Sequence, residues 1–272
     1  MRHRLMPLLL IALLLCPAVA LAAPAAPQVD AEAAVLMSAS NRKVLYAVNP
    51  EAYMYPASTT KIVTLLVALE KGKLDSVVTV SPGAANCEGS SLELRSGDKL
   101  TLRDLLYGLM LVSGNDAAEA VAEHVGGSIP KFAALMNAKA DQLGATRTHF
   151  SNPHGLPDPI NHFTTALDLA KITAAAMGNP EFNKIVSTRE YTVNFRNRAP
   201  VRIANTNRLL RTYSSATGVK TGSTQEAGDC LVASARRGNV SLIAVLLNDD
   251  ERWSDAVKLL DYGFSMPAAP GR

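Results

Sequence analysis

The chain reads as a mixed α/β (α+β) protein in which strands from both ends build one sheet and the helices between them form a second lobe. Three observations say so. Two apolar runs, 33–37 and 44–48, flank the turn-forming SASNRK. Helical spacing of apolar residues then fills the middle of the chain. Runs of alternating, β-rich character follow, and one last helix closes the sequence.

Taken in order, the first residues stand apart. MRHRLM is basic, PLLLIALLLCPAVALAA is apolar, and ALA at 20–22 offers small residues for cleavage, so residues 1–22 read as a secretory signal peptide. That reading places the protein beyond the cytoplasmic membrane, in the periplasm or cell wall space. The competing reading is a retained membrane anchor, because the apolar run approaches the roughly 20 residues that span a bilayer. Bulky Leu15 before Cys16 does not suit lipoprotein processing. Residues 23–27 read as a linker, 28–266 as the folded domain, and 267–272 as a frayed tail. No later segment is long and apolar enough to span, so no C-terminal anchor is expected.

Within the domain, 33–37 and 44–48 form a hairpin. Stretches 59–71, 101–113, 116–125 and 128–143 carry apolar residues three and four apart and read as helices, making a helical lobe of about 59–165. The loop TRTHFSNPHGLPDPINHF follows, rich in Pro, Asn and His, and then a helix at 165–177. REYTVNF, VRIANT, GVKTGST, DCLVASARR and VSLIAVLLN read as strands, and RWSDAVKLLDYGF as the last helix.

Composition excludes several classes. With 272 residues, 48% hydrophobic and 19% charged, the chain buries a full core without staples. A net charge of +3 without a Lys/Arg run gives no nucleic-acid footprint. Past the leader only Cys87 and Cys230 remain, and an oxidising compartment permits either one bridge or two separate thiols. There is no CxxC or HExxH, and His3, His124, His149, His154 and His162 are not spaced as a zinc site. Neither metal nor cofactor is expected.

Three short motifs carry chemistry. Ser58 and Lys61, three apart, share a helix face, yet the spacing alone fits a helix cap equally. SIPK, Ser128 to Lys131, has the same spacing and reads as a cap followed by proline. Ser113-Gly114-Asn115 is the one Ser-x-Asn of the chain, and Lys220-Thr221-Gly222 its one KTG. In the order SxxK, SxN, KTG they match the signature of penicillin-interacting serine enzymes. A serine hydroxyl needs a base, and a lysine serves as one only when burial and a second cation destabilise its ammonium. Lys61 and Lys220 supply that mutual pressure. A helix N-terminus at Ser58 offers a free N–H for an oxyanion hole, and Gly222 lets substrate lie against a strand edge.

From about 28 to 264 the chain resembles the serine-type D-Ala-D-Ala carboxypeptidases, the low-molecular-mass penicillin-binding proteins of peptidase family S11. YPASTTKIVT, DLLYGLMLVSGNDAAEAVAEHVGGS, FSNPHGL, TTALDLAKI, GVKTGSTQEAGDCLVASA and KLLDYGF carry the resemblance. It implies a five-stranded antiparallel sheet flanked by helices, with a helical lobe and the cleft between. It also implies that Ser58 is acylated, that Lys61 is its base, and that Ser113 with Lys220 passes a proton to the departing D-alanine. Asn115 would hold the substrate backbone, Thr221 the terminal carboxylate, and the N–H of Ser223 would complete the oxyanion hole. Arg252 would favour the carboxylate from the last helix. His154 and Asp168 fall on recurrent family positions and read first as structural. The implied partners are peptidoglycan stem pentapeptides as substrate and β-lactams as covalent inhibitors.

Two departures qualify the resemblance. The sequence given ends at Arg272, where many relatives continue into a β-rich domain, and Ser223 stands where an aromatic or histidine is common after KTG. Three other activities compete. A class A β-lactamase needs a glutamate after the SxN element, and none occurs between Glu123 and Glu181. A D,D-endopeptidase would use the same residues on cross-linked peptides, and a silent wall- or β-lactam-binding module would keep the fold without turnover.

Overall fold

The computed structural model describes residues 24–266. The signal-peptide, anchor and tail readings and Cys16 lie outside the described residues. The elements in chain order are β1 (Ala33–Ser38), β2 (Val44–Val48), a 3-10 turn at Ala57–Thr60, α1 (Lys61–Lys71), β3 (Val77–Thr79), α2 (Pro82–Ala85), β4 (Lys99–Thr101), α3 (Leu102–Leu111), α4 (Asn115–Gly126) and α5 (Ile129–Gln142). They continue through α6 (Ala166–Ala176), α7 (Pro180–Ser187), β5 (Glu190–Val193), β6 (Val201–Ala204), α8 (Leu209–Thr212), β7 (Ala216–Thr224), β8 (Gly228–Arg237), β9 (Val240–Leu247) and α9 (Arg252–Ser265).

The early hairpin and the late strands meet as expected. One five-stranded antiparallel sheet runs in the order β2-β1-β9-β8-β7. Its two faces follow from the period of two in each strand. Ala33, Val35 and Met37 of β1 and Ile243, Val245 and Leu247 of β9 enter one core with the helical lobe. Ala34, Leu36, Leu242, Ala244 and Leu246 face the other way, onto Ala256, Leu259 and Leu260 of α9. Both faces are therefore covered, which explains why these strands are apolar almost throughout.

The lobe is organised around α1. Every residue from Lys61 to Ala68 is buried, as a helix apolar on all sides must be. Its packing on the sheet side and on α3, α4 and α5 makes a single continuous core through sheet and lobe. Burying α1 on all sides has a consequence for its first residue, since Lys61 is drawn inside with it.

Two expectations are corrected. REYTVNF and VRIANT pair with each other, as β5 and β6, in a separate two-stranded sheet rather than joining the main one. The pair lies on α3, where Tyr191 stacks on Tyr107 at 3.7 Å and its hydroxyl donates to Asp104. The expected helix over 59–71 begins at Lys61, behind the 3-10 turn. The sequence pass also leaves out α7, although Asn179 caps it by accepting from the N–H groups of Glu181 and Phe182, with Pro180 in its first turn.

One buried carboxylate fixes the loop over the active region. Asp116, 1% exposed, accepts from the N–H groups of Leu92 and Leu94 and from the Ser91 hydroxyl. Hydrogen bonds to a charged acceptor contribute about 1.5–3 kcal/mol each, and a buried donor left alone costs about 1–3 kcal/mol. Asp116→Ala is expected to lower unfolding free energy by about 3 kcal/mol, measured by urea denaturation followed by far-UV circular dichroism.

Candidate active site

Two Ser-x-x-Lys pairs test what the spacing means. Ser128 behaves as a cap, accepting from the Lys131 N–H with Pro130 in the first turn of α5. Ser58 makes no cap bond. Its hydroxyl is instead 2.9 Å from the Lys61 ammonium. The backbone before it is bent into the left-handed region at Ala57, φ 45°, a conformation that costs a non-glycine residue free energy and clusters at functional sites.

Lys61 Nζ has two further partners, Asn115 Oδ1 at 2.7 Å and the carbonyl oxygen of His154 at 2.8 Å. The Asn115 side chain is oriented by its own donation from Nδ2 to the Glu88 carbonyl at 2.7 Å, which assigns Oδ1 toward the lysine. Both of these partners are carbonyl oxygens and can only accept. A neutral amine has two N–H bonds and one lone pair. In the neutral form two N–H groups can go to Asn115 and His154, which leaves the lone pair for Ser58 Oγ, the one partner of the three that can also donate. Burial holds the Lys61 pKa well below its ordinary value, and the nearby Lys220 charge pushes it the same way.

Lys220 enters from β7, the open edge of the sheet, and is 1% exposed. Burial, reinforced by the Arg252 guanidinium, lowers its pKa to about 7. Its ammonium donates to the Thr221 carbonyl at 2.9 Å. Ser113, held at φ 62°, keeps a buried hydroxyl without a hydrogen-bond partner. Ser113 and Lys220 thus make no direct hydrogen bond to each other.

Ser58, Ser113, Thr221, Gly222, Ser223 and Arg252 line one cleft of about 150 Å³, together with Ser90, Val112 and Thr206. Larger hollows exist, about 490 Å³ beside Lys184 and Arg236 and about 310 Å³ between Tyr53 and Phe163, but neither adjoins an activated nucleophile. At Gly222 a Cβ would stand 3.1 Å from the Ser58 nitrogen and 3.2 Å from the Pro56 oxygen, so the absence of a side chain also serves the close approach of the Ser58 turn to the strand. Arg252 donates to the carbonyls of Gly222 at 2.8 Å and Cys230 at 3.3 Å and pairs with Asp229 at 3.2 Å, while its Nε is buried without a partner.

Asp168 is structural in its contacts, taking the Arg147 N–H at 2.8 Å and Lys171 at 2.9 Å. His154 is more than that, since its carbonyl is one of the two that hold Lys61. Cys87 and Cys230 are separate free thiols. The sequence pass did not single out Thr206, whose hydroxyl lies 3.0 Å from that of Thr221, nor Ser90, whose carbonyl takes the Asn115 N–H at 2.7 Å. No local spacing marks either residue, because both act across the fold.

Residues 20–251 match the family model Peptidase S11, D-alanyl-D-alanine carboxypeptidase. The chain belongs to that family. Among curated members, D-alanyl-D-alanine carboxypeptidase DacF of Bacillus subtilis is 38% identical over 87% of this chain and 62% of its own length. DacC of Escherichia coli is 40% identical over 88% of this chain and again 62% of its own length, so the chain spans less than two thirds of these relatives. The fold is that of the Streptomyces K15 DD-transpeptidase, which is 36% identical with a TM-score of 0.84 over 89% of this chain and 100% of that one. A putative penicillin-binding protein homologue from Mycobacterium tuberculosis superposes with a TM-score of 0.86 at 34% identity, over 92% and 97% of the two chains. No helix among the described residues is long and apolar enough to cross a membrane.

The close approach of strand and nucleophile turn carries an expected outcome. Gly222→Ala should slow Ser58 labelling by a fluorescent penicillin, by less than the ~100-fold that a 1 Å misplacement costs, since the turn has to give by only a few tenths of an ångström, with the protein still folded by circular dichroism.

Proposed function

We propose that the protein is a serine D-Ala-D-Ala carboxypeptidase that trims the terminal D-alanine from peptidoglycan stem pentapeptides. The observation that carries this reading is the buried Lys61 nitrogen, within hydrogen-bond distance of the Ser58 hydroxyl and of two carbonyl oxygens that can only accept, so that its neutral form keeps a lone pair for the Ser58 proton. In acylation the Ser58 oxygen attacks the carbonyl of the penultimate D-alanine as Lys61 takes the hydroxyl proton. The oxyanion meets the N–H groups of Ser58 and Ser223. Ser113 gives its proton to the departing D-alanine nitrogen and regains one from Lys220. Thr221 and Arg252 receive the terminal carboxylate, and Asn115 holds the substrate backbone. Before hydrolysis Lys61 releases the proton it took and Lys220 recovers the one it gave, by exchange with solvent. Neutral Lys61 then deprotonates a water, whose oxygen cleaves the ester, and Lys61 hands that proton to the departing Ser58 oxygen.

The edge position of β7 supports an extended substrate, since an open strand presents unpaired backbone groups to a peptide laid beside it. A secretory reading of residues 1–22 puts the reaction where stem peptides are found, outside the cytoplasmic membrane. The similarity to an enzyme named as a DD-transpeptidase favours a second fate for the acyl-enzyme, capture by an amine instead of water, and sequence motifs do not separate the two.

The decisive assay is D-alanine release from a stem pentapeptide by the purified protein, beside Ser58→Ala. Wild-type turnover with at least about 1,000-fold loss in the variant is the expected result. Penicillin should add its mass once to the wild type and not to the variant, and persist, because no glutamate stands after the SxN element to activate water. A folded wild type without release, but active on cross-linked dimers or with added glycine as acceptor, would replace carboxypeptidase by endopeptidase or transpeptidase. Mass addition without any turnover would leave the binding module.

The two lysines set the pH dependence. Lys61 acts neutral, so kcat/KM should rise with pH as it loses its proton. Lys220 acts charged, so kcat/KM should fall as pH passes about 7. Lys220→Arg retains its charge throughout the range, and its profile is expected to lose the alkaline fall while keeping the acid rise.

A further inference from the structure

Behind Lys61 the fold gathers three metal-ligating side chains that the proposed reaction does not use. Cys87 Sγ, a carboxylate oxygen of Glu119 and a ring nitrogen of His154 all lie within 4.8 Å of one another. They come from three segments, the loop after α2, the second turn of α4 and the 152–156 turn, so no sequence spacing announces them.

Glu119 hydrogen-bonds to both His154 and Cys87, and the spacing of the three groups is close to that of a coordination sphere. His154 Nε2 stands 3.5 Å from Glu119 Oε1, beyond the 2.7–3.2 Å of a good N–H···O bond. Zinc bonds of about 2.0–2.3 Å at tetrahedral angles put neighbouring ligand atoms about 3.3–3.6 Å apart. Closing the widest gap needs ~1.5 Å or less, within reach of the Cys87 and Glu119 rotamers. Thiolate, imidazole and carboxylate together suit a borderline cation, and two negative ligands neutralise a divalent charge. Cys87 and Glu119 are partly exposed, which leaves an entry path and room for a water as fourth ligand. The interactions that compete are these Glu119 bonds and a donation from the Leu156 N–H to His154 Nδ1 at 3.2 Å, at the long end of its range. On metal binding the ring proton moves from Nε2 to Nδ1 and the thiol proton leaves to solvent, so these contacts are given up.

We propose that Cys87, Glu119 and His154 form a binding site for a divalent cation of the zinc class, set behind the catalytic lysine. Each ligand belongs to a segment that holds an active-site group. The His154 carbonyl takes Lys61, the Glu88 carbonyl next to Cys87 takes the Asn115 amide, and Glu119 lies one turn along α4 from Asn115. A bound ion ties these segments together.

The test uses Co²⁺ and Zn²⁺ directly on the purified protein. Stoichiometric Co²⁺ should give a thiolate-to-metal absorption band in the near ultraviolet, bleached by Zn²⁺. Cys230→Ser should keep the band, whereas Cys87→Ser should abolish it. Glu119→Gln should weaken Zn²⁺ binding by more than the 10- to 100-fold that loss of an outer-shell partner costs. Zn²⁺ should raise the melting temperature of the wild type and not of Cys87→Ser, because a ligand of the native state stabilises it. Absence of the band in folded wild-type protein, or a band that survives Cys87→Ser, would overturn the site. Neither readout depends on turnover, so the result is independent of the proposed activity.

Discussion

Lys61 carries an amine into a place without water, and the arrangement around it makes that tolerable while leaving the nitrogen reactive. Its burial is imposed by α1, apolar on all sides and central to the core. A buried ammonium is costly unless fully engaged, and two carbonyls and a hydroxyl are brought to it. The carbonyls come from Asn115 and His154, 54 and 93 residues away in sequence. The 152–156 turn supplies the His154 acceptor, and the loop after α2 supplies the Glu88 carbonyl that orients the Asn115 amide at the start of α4. Gly155 shows how tight the fit is, for a Cβ on it would fall 1.8 Å from the Ala57 oxygen.

The second constraint is that β7 remains an edge. An open edge invites unwanted pairing, and here one stretch of it is approached by the nucleophile turn, whose contact with Gly222 leaves a narrow cleft instead of a free ribbon. Lys220 is pulled inward from this strand while Thr221 and Ser223 line the cleft. Arg252 braces the same strand by donating to the Gly222 carbonyl, and its positive charge is also one reason the Lys220 ammonium is weakened. A single guanidinium therefore links the geometry of the edge to the electrostatics of the site.

Much of this was legible in the sequence because it is local or periodic. The hairpin at β1 and β2, the long helices and the last three strands follow from apolar spacing, and the three motifs identify residues that the fold does bring together. What separates Ser58 from Ser128 is not local. Ser128 lies in a half-exposed helix start and caps it, whereas Ser58 adjoins a helix buried by the whole core, and only tertiary packing tells the two apart. The detachment of β5 and β6 from the main sheet is likewise a matter of pairing at a distance. At Gly222 the sequence does not reveal that the Ser58 turn is the segment that crosses the strand. The grip of Asp116 on Leu92 and Leu94 needs the chain to fold back over 22–24 residues, a contact no local pattern marks.

Stability and catalysis pull in opposite directions at Lys220. Its folded pKa of about 7 lies below the ordinary 10.5, so between those values the unfolded chain binds a proton that the folded one does not. Stability then rises with pH across that window. The penalty for burying this side chain is complete below about pH 7 and gone above 10.5. The proposed role of Lys220 requires the charged form, which predominates where the penalty is greatest. The fold carries this burden at its most reactive point, and the extensive apolar cover of both faces of the sheet offsets it. A lysine free to relax into water would remove the penalty and, with it, the second influence, after burial, that holds the Lys61 pKa down.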